Sequence, residues 1–172
     1  MSIGKLLVER LRQLAGGDRS ALAGDEQTLS VPGQPFDATL ELFDHDRYSV
    51  TLRRLSVGAD GPAPADARAY LSSAAAEVAR RLGFLEEPLA VWELDGGERV
   101  AQLRSSPPLR EGEEVSYWEV TLSAGERPNA QAIRYRWAPG MVERETLAYP
   151  ATFALVGRIA DALADALDSG SA

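Results

Sequence analysis

The sequence contains no cysteine and only one histidine, His45. Without cysteine the chain has no disulfide, no thiolate nucleophile and no zinc–thiolate site. A Ser-His-Asp arrangement would have to use His45, because histidine is the usual acid–base group near neutral pH. The phosphate-binding patterns GxxxxGK[ST] and GxGxxG are missing, as is the GxSxG motif of a nucleophile elbow. We therefore expect no catalytic residue, no cofactor and no metal, which favours a protein that is not an enzyme.

Long apolar runs and excess positive charge are also missing. No stretch of about 20 apolar residues is present, and the segment 1–14 carries charges where a signal peptide would have its apolar core. The net charge is −8, whereas a nucleic-acid-binding protein needs a cationic face. Lys5 is the only lysine, and this bias toward arginine, with abundant alanine, is typical of GC-rich bacterial genomes. The sequence predicts a cytoplasmic bacterial protein that binds neither nucleic acid nor membrane.

What is present is ordinary for a globular chain: 172 residues, of which 45% are hydrophobic and 26% charged. This length predicts one domain over residues 1–172. Segment 2–14 has helical periodicity, and Gly16-Gly17 would end the helix. Its apolar stripe consists of Ile3, Leu7, Leu11 and Leu14. The stripe either packs within its own domain or forms an interface with a second copy or a protein partner, because a terminal helix behind a glycine-rich loop is loosely tethered.

Two further helices are expected. One begins at Pro64 or Asp66 and ends at Leu82, with Gly83 as its cap. The other begins at Pro150, and residues 169–172 are expected to fray.

The strands are marked by apolar alternation and turn residues. Segment 39–43 and segment 47–57 predict a hairpin around Asp44-His45-Asp46. The apolar phase of the second strand shifts by one residue after Arg54, which predicts a bulge at Arg53-Arg54. Further strands are expected at 28–31, 89–94, 99–103, 115–123, 132–138 and 141–147.

The last hairpin permits a prediction of register. If Pro139 and Gly140 are the two loop residues, Arg136 lies opposite Glu143, Arg134 opposite Glu145 and Trp137 opposite Val142. Cross-strand charge pairs would stabilise this register. Pro-Gly suits a type II turn rather than the primed turns of two-residue hairpins, so a longer loop is the alternative.

These elements predict an α+β fold. An antiparallel sheet of about six to eight strands, arranged in hairpins, would be covered by N-terminal, middle and C-terminal helices. The N-terminal helix, within residues 1–15, is the one element whose docking the sequence leaves open.

Few residues stand out as candidates for a site. Arg53 and Arg54 could contact an anion, because a bulge re-aims side chains. Asp44-His45-Asp46 could supply metal ligands, but a solvated turn rich in aspartate is the favoured interpretation.

In the order of its elements the chain resembles the small acidic type III secretion chaperones and their cytoplasmic relatives. Those proteins have a leading helix, strands, a middle helix, more strands and a closing helix. The resemblance implies a non-catalytic, chaperone-like module that binds a protein partner or forms a homodimer.

The alternative is a domain that binds a small apolar ligand. It would be similar to helix-grip domains, in which a long C-terminal helix closes a curved antiparallel sheet. Trp92, Trp118 and Trp137 lie on the late strands and would line the pocket.

Overall fold

The computed structural model describes residues 1–17 and 26–171. In these residues the chain forms three α-helices and ten strands, with a 3₁₀ turn at Gly83–Leu85. The helices are α1 (Ile3–Gly16), α2 (Ala67–Arg81) and α3 (Phe153–Gly170). The strands are β1 (Gln27–Val31), β2 (Phe36–His45), β3 (Ser49–Ala59), β4 (Leu89–Asp95), β5 (Val100–Ser105), β6 (Leu109–Glu111), β7 (Glu114–Ser123), β8 (Asn129–Trp137), β9 (Glu145–Thr146) and β10 (Tyr149–Thr152).

All ten strands belong to one antiparallel sheet. The main path runs in the order β1-β2-β3-β8-β7-β5-β4, so β1 and β4 are its two edges. Three short strands are added beside longer ones: β6 pairs with β7, β9 with β8 and β10 with β3. The α+β class and the antiparallel sheet are confirmed. The strand count exceeds the expected six to eight because β6, β9 and β10 are too short to show the alternation of apolar and polar residues that marks a strand.

The helices form one layer on one face of the sheet. α3 is the central helix and packs between α1 and α2, and each helix also contacts strands. α3 has the most continuous apolar stripe, and its residues from Val156 to Leu167 are buried in a pattern with helical spacing. Strand residues of the opposite phase point away from this layer, so the sheet has a second face without helices, called here the open face.

The bulge at Arg53-Arg54 is confirmed. Glu41 pairs with Arg54 and Leu42 with Leu52, so Arg53 is the extra residue on β3. Phe43 is then extra on β2, because the next pair is Asp44 with Thr51. Leu52 and Leu55, on either side of the bulge, therefore both face the core.

The register predicted for a two-residue loop is wrong by two residues, and the longer loop, which the sequence left as the alternative, is present. Arg136 pairs with Glu145, not Glu143, and the connection spans residues 138–144. The physical reason is the turn type. The Met141 N–H donates to the Ala138 carbonyl at 3.1 Å and Gly140 has φ 94°, which is a type II turn with proline first and glycine second. Such a turn does not match the twist of a two-residue hairpin, so the strands separate.

Other expected boundaries need smaller corrections. Pro150 lies in β10 opposite Thr51, and α3 begins only after the N-cap Thr152, whose hydroxyl accepts from the Leu155 N–H at 3.1 Å. Gly83 begins the 3₁₀ turn, and the left-handed residue is Glu86, with φ 69°. The C-terminal helix extends to Gly170, which lies against the Tyr70 ring. The loop expected after Gly17 falls mostly on residues 18–25, outside the described residues.

Candidate binding surface on the open face

The centre of the open face is polar. The strand registers place one outward residue from each of seven strands in a single transverse row. From edge to edge the row consists of Ser30, Thr39, Ser56, Gln131, Thr121, Gln102 and Glu93. The hydroxyl, amide and carboxylate side chains of this row form a hydrogen-bonding floor without apolar character.

Beside this floor, aromatic rings and guanidinium groups alternate. Arg104 lies with its guanidinium carbon 4.9 Å from the centre of the Trp92 ring and 5.4 Å from that of Tyr117. Arg144 lies 3.7 Å from the centre of the Tyr135 ring and 6.0 Å from that of Tyr117. We call these five residues the guanidinium–aromatic ladder. Cation–π contacts of this kind contribute roughly 0.5–1 kcal/mol each at exposed sites.

A buried carboxylate holds both arginines in place. Glu119 is only 4% exposed and accepts from Arg104 Nε at 2.8 Å and from the two Nη atoms of Arg144 at 2.5 and 3.1 Å. Arg144 also donates to the Tyr117 hydroxyl at 3.1 Å. The hydrogen bonds to Glu119 raise the pKa of Arg144, although burial acts in the opposite direction. The two guanidiniums are therefore fixed in position by one carboxylate.

The ladder has a simple origin in the chain. Tyr117 and Glu119 are outward residues of β7, and the pair Tyr117–Tyr135 follows from its register with β8. Arg104 pairs with Glu119 across β5 and β7. Arg144 comes from the connection 138–144, which folds back over the open face. The outward phase of β7 and β8 could have indicated the tyrosines and Glu119, but nothing in the sequence signals where Arg144 lies.

The three tryptophans do not come together. Trp118 is 1% exposed and packs edge-to-face with Tyr149, with ring centres 4.9 Å apart, in the layer between sheet and helices. Trp92 is 66% exposed and lies on the open face. Trp137 is half-exposed, and its indole N–H donates to the Met141 carbonyl at 3.2 Å. The pocket expected to be lined by all three is therefore not formed by them.

The stripe of the N-terminal helix lies within its own domain. Ile3, Leu7 and Leu11 are buried in the common core, and Leu14 packs partly against it. Of the two interpretations that the sequence leaves open, the structure shows intramolecular packing, so this stripe is not available as an interface.

The arginines proposed for anion contact have carboxylate partners. Arg53 forms an ion pair with Glu26, and Arg54 lies 3.7 Å from Glu41. Arg54 Nε is buried and makes no hydrogen bond within the described part of the chain. The bulge thus directs Arg53 toward Glu26, just before β1, and Arg54 toward Glu41 on β2.

Arg134 has a different partner from the one expected. It is 5% exposed and donates two hydrogen bonds to Glu87, at 3.2 and 2.9 Å, and one to the Ser116 hydroxyl at 3.0 Å. Glu145 instead lies 3.6 Å from Arg136. The two-residue shift in register removes Glu145 from Arg134, and the connector before β4 supplies Glu87.

Asp44 and His45 are the last residues of β2, and Asp46 follows them in the turn to β3. Asp46 accepts from the Tyr48 and Ser49 N–H groups at 2.7 and 2.8 Å and from the Ser49 hydroxyl at 2.9 Å. Within residues 1–17 and 26–171, no three histidine, aspartate or glutamate side chains are grouped so that they could hold a metal ion. No helix in these residues is long and apolar enough to cross a membrane.

Comparisons of the chain with family models, with curated proteins and with solved structures found no match.

Proposed function

We propose that this protein is a non-catalytic module that binds a protein partner through its open face, with the guanidinium–aromatic ladder at the centre of the contact. The observation that carries the proposal is the continuous stacking from Trp92 through Arg104, Tyr117 and Arg144 to Tyr135. Tryptophan, tyrosine and arginine are the residues that most often dominate the energy of protein interfaces.

The ladder is also ordered in advance of binding. Immobilising a flexible side chain at an interface costs roughly 0.5–1.5 kcal/mol. The hydrogen bonds to Glu119 already fix Arg104 and Arg144, whose side chains keep 26% and 31% of their area exposed. A partner would therefore meet rigid, accessible groups with little further loss of entropy.

Charge indicates which partner surface fits. The ladder has two guanidiniums, and the only carboxylate bonded to them in the described part of the chain is that of Glu119, so the site is locally positive on a chain of net charge −8. We expect the partner to place apolar side chains against Trp92 and the tyrosine rings and carboxylates near Arg104 and Arg144. This assignment agrees with the chaperone-like function that the element order implies.

Site-specific photo-crosslinking in cells tests the proposal. A benzoyl-phenylalanine at Thr121 or Gln131, on the polar floor, would lie beneath a partner on the open face. The matched control carries the same group at Ala76, an exposed position of α2 on the helical side.

We expect one defined protein adduct from the two open-face positions and none from position 76. Adducts that form from position 76 alone would move the binding surface to the helices and overturn the proposal. Failure of all three positions to form an adduct would also contradict it.

A further inference from the structure

The edge strand β4 is accessible from both sides of the sheet. Its four consecutive residues from Ala90 to Glu93 are exposed, although alternate residues of a strand face opposite sides. Val91 and Trp92 leave 52% and 66% of their surface exposed. On the other edge strand, β1, the exposed side chains are the hydroxyls of residues 28 and 30. Large apolar side chains on an accessible edge invite pairing with another chain, so β4 is the edge suited to a partner.

The hydrogen bonds to β5 show which backbone groups of β4 point outward. The Ser106 N–H donates to the Pro88 carbonyl at 2.7 Å, and the register with β5 then continues without a break from Leu89 to Val91. Hydrogen-bonded and non-hydrogen-bonded positions alternate along an antiparallel pair. Pro88 and Ala90 therefore bond to β5, whereas the N–H and C=O groups of Leu89 and Val91 point away from the sheet.

These outward groups match the edge of another extended chain. Leu89 and Val91 lie two residues apart, so their N–H and C=O groups repeat at about 7 Å along the strand. A β-strand presents complementary groups at the same spacing, whereas the backbone groups of an α-helix are bonded within the helix. The edge thus selects an extended segment by its backbone.

Two features disfavour a second copy of this chain as the occupant. Trp92 is an extra residue, because Val91 and Glu93 pair with consecutive residues of β5, and such a bulge interrupts the pairing of two identical edges. An antiparallel pair of β4 edges would also place the exposed Glu86 of one copy beside the Glu93 end of the other. Like charges across strands are destabilising, and each copy has a net charge of −8.

We infer that the β4 edge binds an extended segment of a protein partner as an additional strand. The inference rests on the proposed function, since Trp92 belongs both to this edge and to the ladder. The added strand would place apolar side chains against Val91 and Trp92 and a lysine or arginine near Glu86 or Glu93. The carboxylates expected opposite the ladder arginines would belong to other parts of the partner.

The probe is the peptide acetyl-Lys-Val-Thr-Val-Thr-Val-Lys-amide, because valine and threonine favour an extended chain. Binding is followed by NMR titration of the full chain, with the backbone amides of Leu89 and Val91 as reporters and those of Thr28 and Ser30 as the comparison edge. We expect saturable shifts on β4 alone, with a Kd on the order of 1 mM.

Two control peptides separate backbone from charge. The same peptide with N-methyl groups on its five central residues lacks the N–H donors and should bind about tenfold more weakly. Replacing both lysines with glutamate should weaken binding about threefold, since Glu86 and Glu93 would then face like charges.

Two variants test the edge itself. Val91→Pro removes an outward N–H, and an edge strand tolerates proline where the N–H does not bond to the sheet. It should weaken the peptide about fivefold. Val91→Thr keeps the N–H and the branched shape and should bind within about twofold of the wild type. If Val91→Pro disturbs the fold, the N-methylated peptide makes the same comparison on the unchanged protein.

The inference is overturned by an absence of saturable shifts at Leu89 and Val91, by equal binding of the N-methylated peptide, or by shifts confined to β1. Concentration-dependent shifts of these two amides without peptide would assign the edge to a second copy and also overturn it. The peptide test needs no identified partner. A failed peptide test with adducts from the open face would contradict strand addition alone, whereas missing adducts would contradict the proposed function.

Discussion

Asp161 of α3 accepts a hydrogen bond from the backbone N–H of Gly4 at 2.7 Å, at the point where α1 crosses α3. The same carboxylate accepts from the hydroxyl of Ser2, the N-cap of α1, at 3.1 Å. A carboxylate at a helix N-terminus stabilises the helix, since it satisfies free N–H groups and complements the helix dipole. α1 is therefore held to its own domain by this cap as well as by its apolar stripe.

The close crossing predicts that Gly4→Ala destabilises the protein. A Cβ at residue 4 would overlap the backbone carbonyl of Gly157, so the two helices would have to separate. Overpacking costs about 1–3 kcal/mol, and the better helix propensity of alanine returns roughly 1 kcal/mol. We expect a net loss of up to about 2 kcal/mol in urea unfolding, with faster amide exchange in α1. Gly83→Ala is the control, because a Cβ there meets no atom within 4 Å; equal effects of the two changes would contradict the crossing.

The buried pair Arg134–Glu87 predicts a non-additive effect on stability. Removing one partner of a buried ion pair leaves an uncompensated charge and costs about 3–5 kcal/mol. Glu87 keeps 17% of its side chain exposed, so we expect about 3 kcal/mol for Glu87→Leu. The double variant Arg134→Leu/Glu87→Leu should be more stable than Glu87→Leu alone, because no isolated charge remains. Additive losses in chemical unfolding would show that the pair does not act as a unit.

Tyr70 predicts a loss of stability at high pH. Burial, followed by the charge of Asp168, raises the pKa of Tyr70 to about 12 in the folded protein, from 10.0 for an ordinary tyrosine. The folded state thus holds the phenol proton more tightly. The resulting stability is complete below pH 10 and is lost as the pH rises toward 12. Absorbance at alkaline pH should show one of the five tyrosines ionising late, and Tyr70→Phe should remove that step. A wild-type titration without a late step would refute this account of Tyr70.

The hydrogen bonds between Glu119 and Arg144 predict that Glu119 keeps the connection 138–144 ordered. In Glu119→Gln the guanidiniums of Arg104 and Arg144 lose their charged acceptor, and hydrogen bonds to charged groups contribute roughly 1.5–3 kcal/mol. We expect faster hydrogen exchange at residues 138–144 and a lower free energy of unfolding. Glu143→Gln, on the same connection, is the matched control because that exposed side chain forms no ion pair with the described residues. Unchanged exchange in Glu119→Gln would mean that Glu119 does not hold the connection.

The sequence predicts those parts of the fold that depend on local periodicity. The three helices, the antiparallel sheet and the bulge at Arg53-Arg54 all follow from apolar residues spaced along one segment. The predicted register after β8 is wrong because the charge pattern favours Glu143 opposite Arg136, whereas the Pro139-Gly140 turn sets a longer connection. Local charge pairing is weaker than turn geometry in setting a register.

The candidate surface could be predicted only in part. The sequence indicates Trp92 as a site residue, but it places Trp92 in one pocket with Trp118. Alternation along a strand shows which of its residues share a face, but it does not show which face of the sheet the helices cover. Arg144 could not be found, since it reaches Glu119 across 25 residues of chain through a connection with no regular period. The ladder joins β4, β5, β7, β8 and this connection, so it exists only at the level of the whole sheet.

The central claim is that a protein partner binds the guanidinium–aromatic ladder on the open face. The most direct test uses the partner that crosslinking identifies, purified in its free form. Its Kd is measured for the wild-type protein and for Trp92→Ala, with Val142→Ala as the control. Trp92 is 66% exposed and Val142 is 98% exposed, so neither change is expected to unfold the protein. The account predicts that Trp92→Ala weakens binding at least about tenfold, as for a dominant interface residue, and that Val142→Ala has little effect. Wild-type affinity in Trp92→Ala would contradict it.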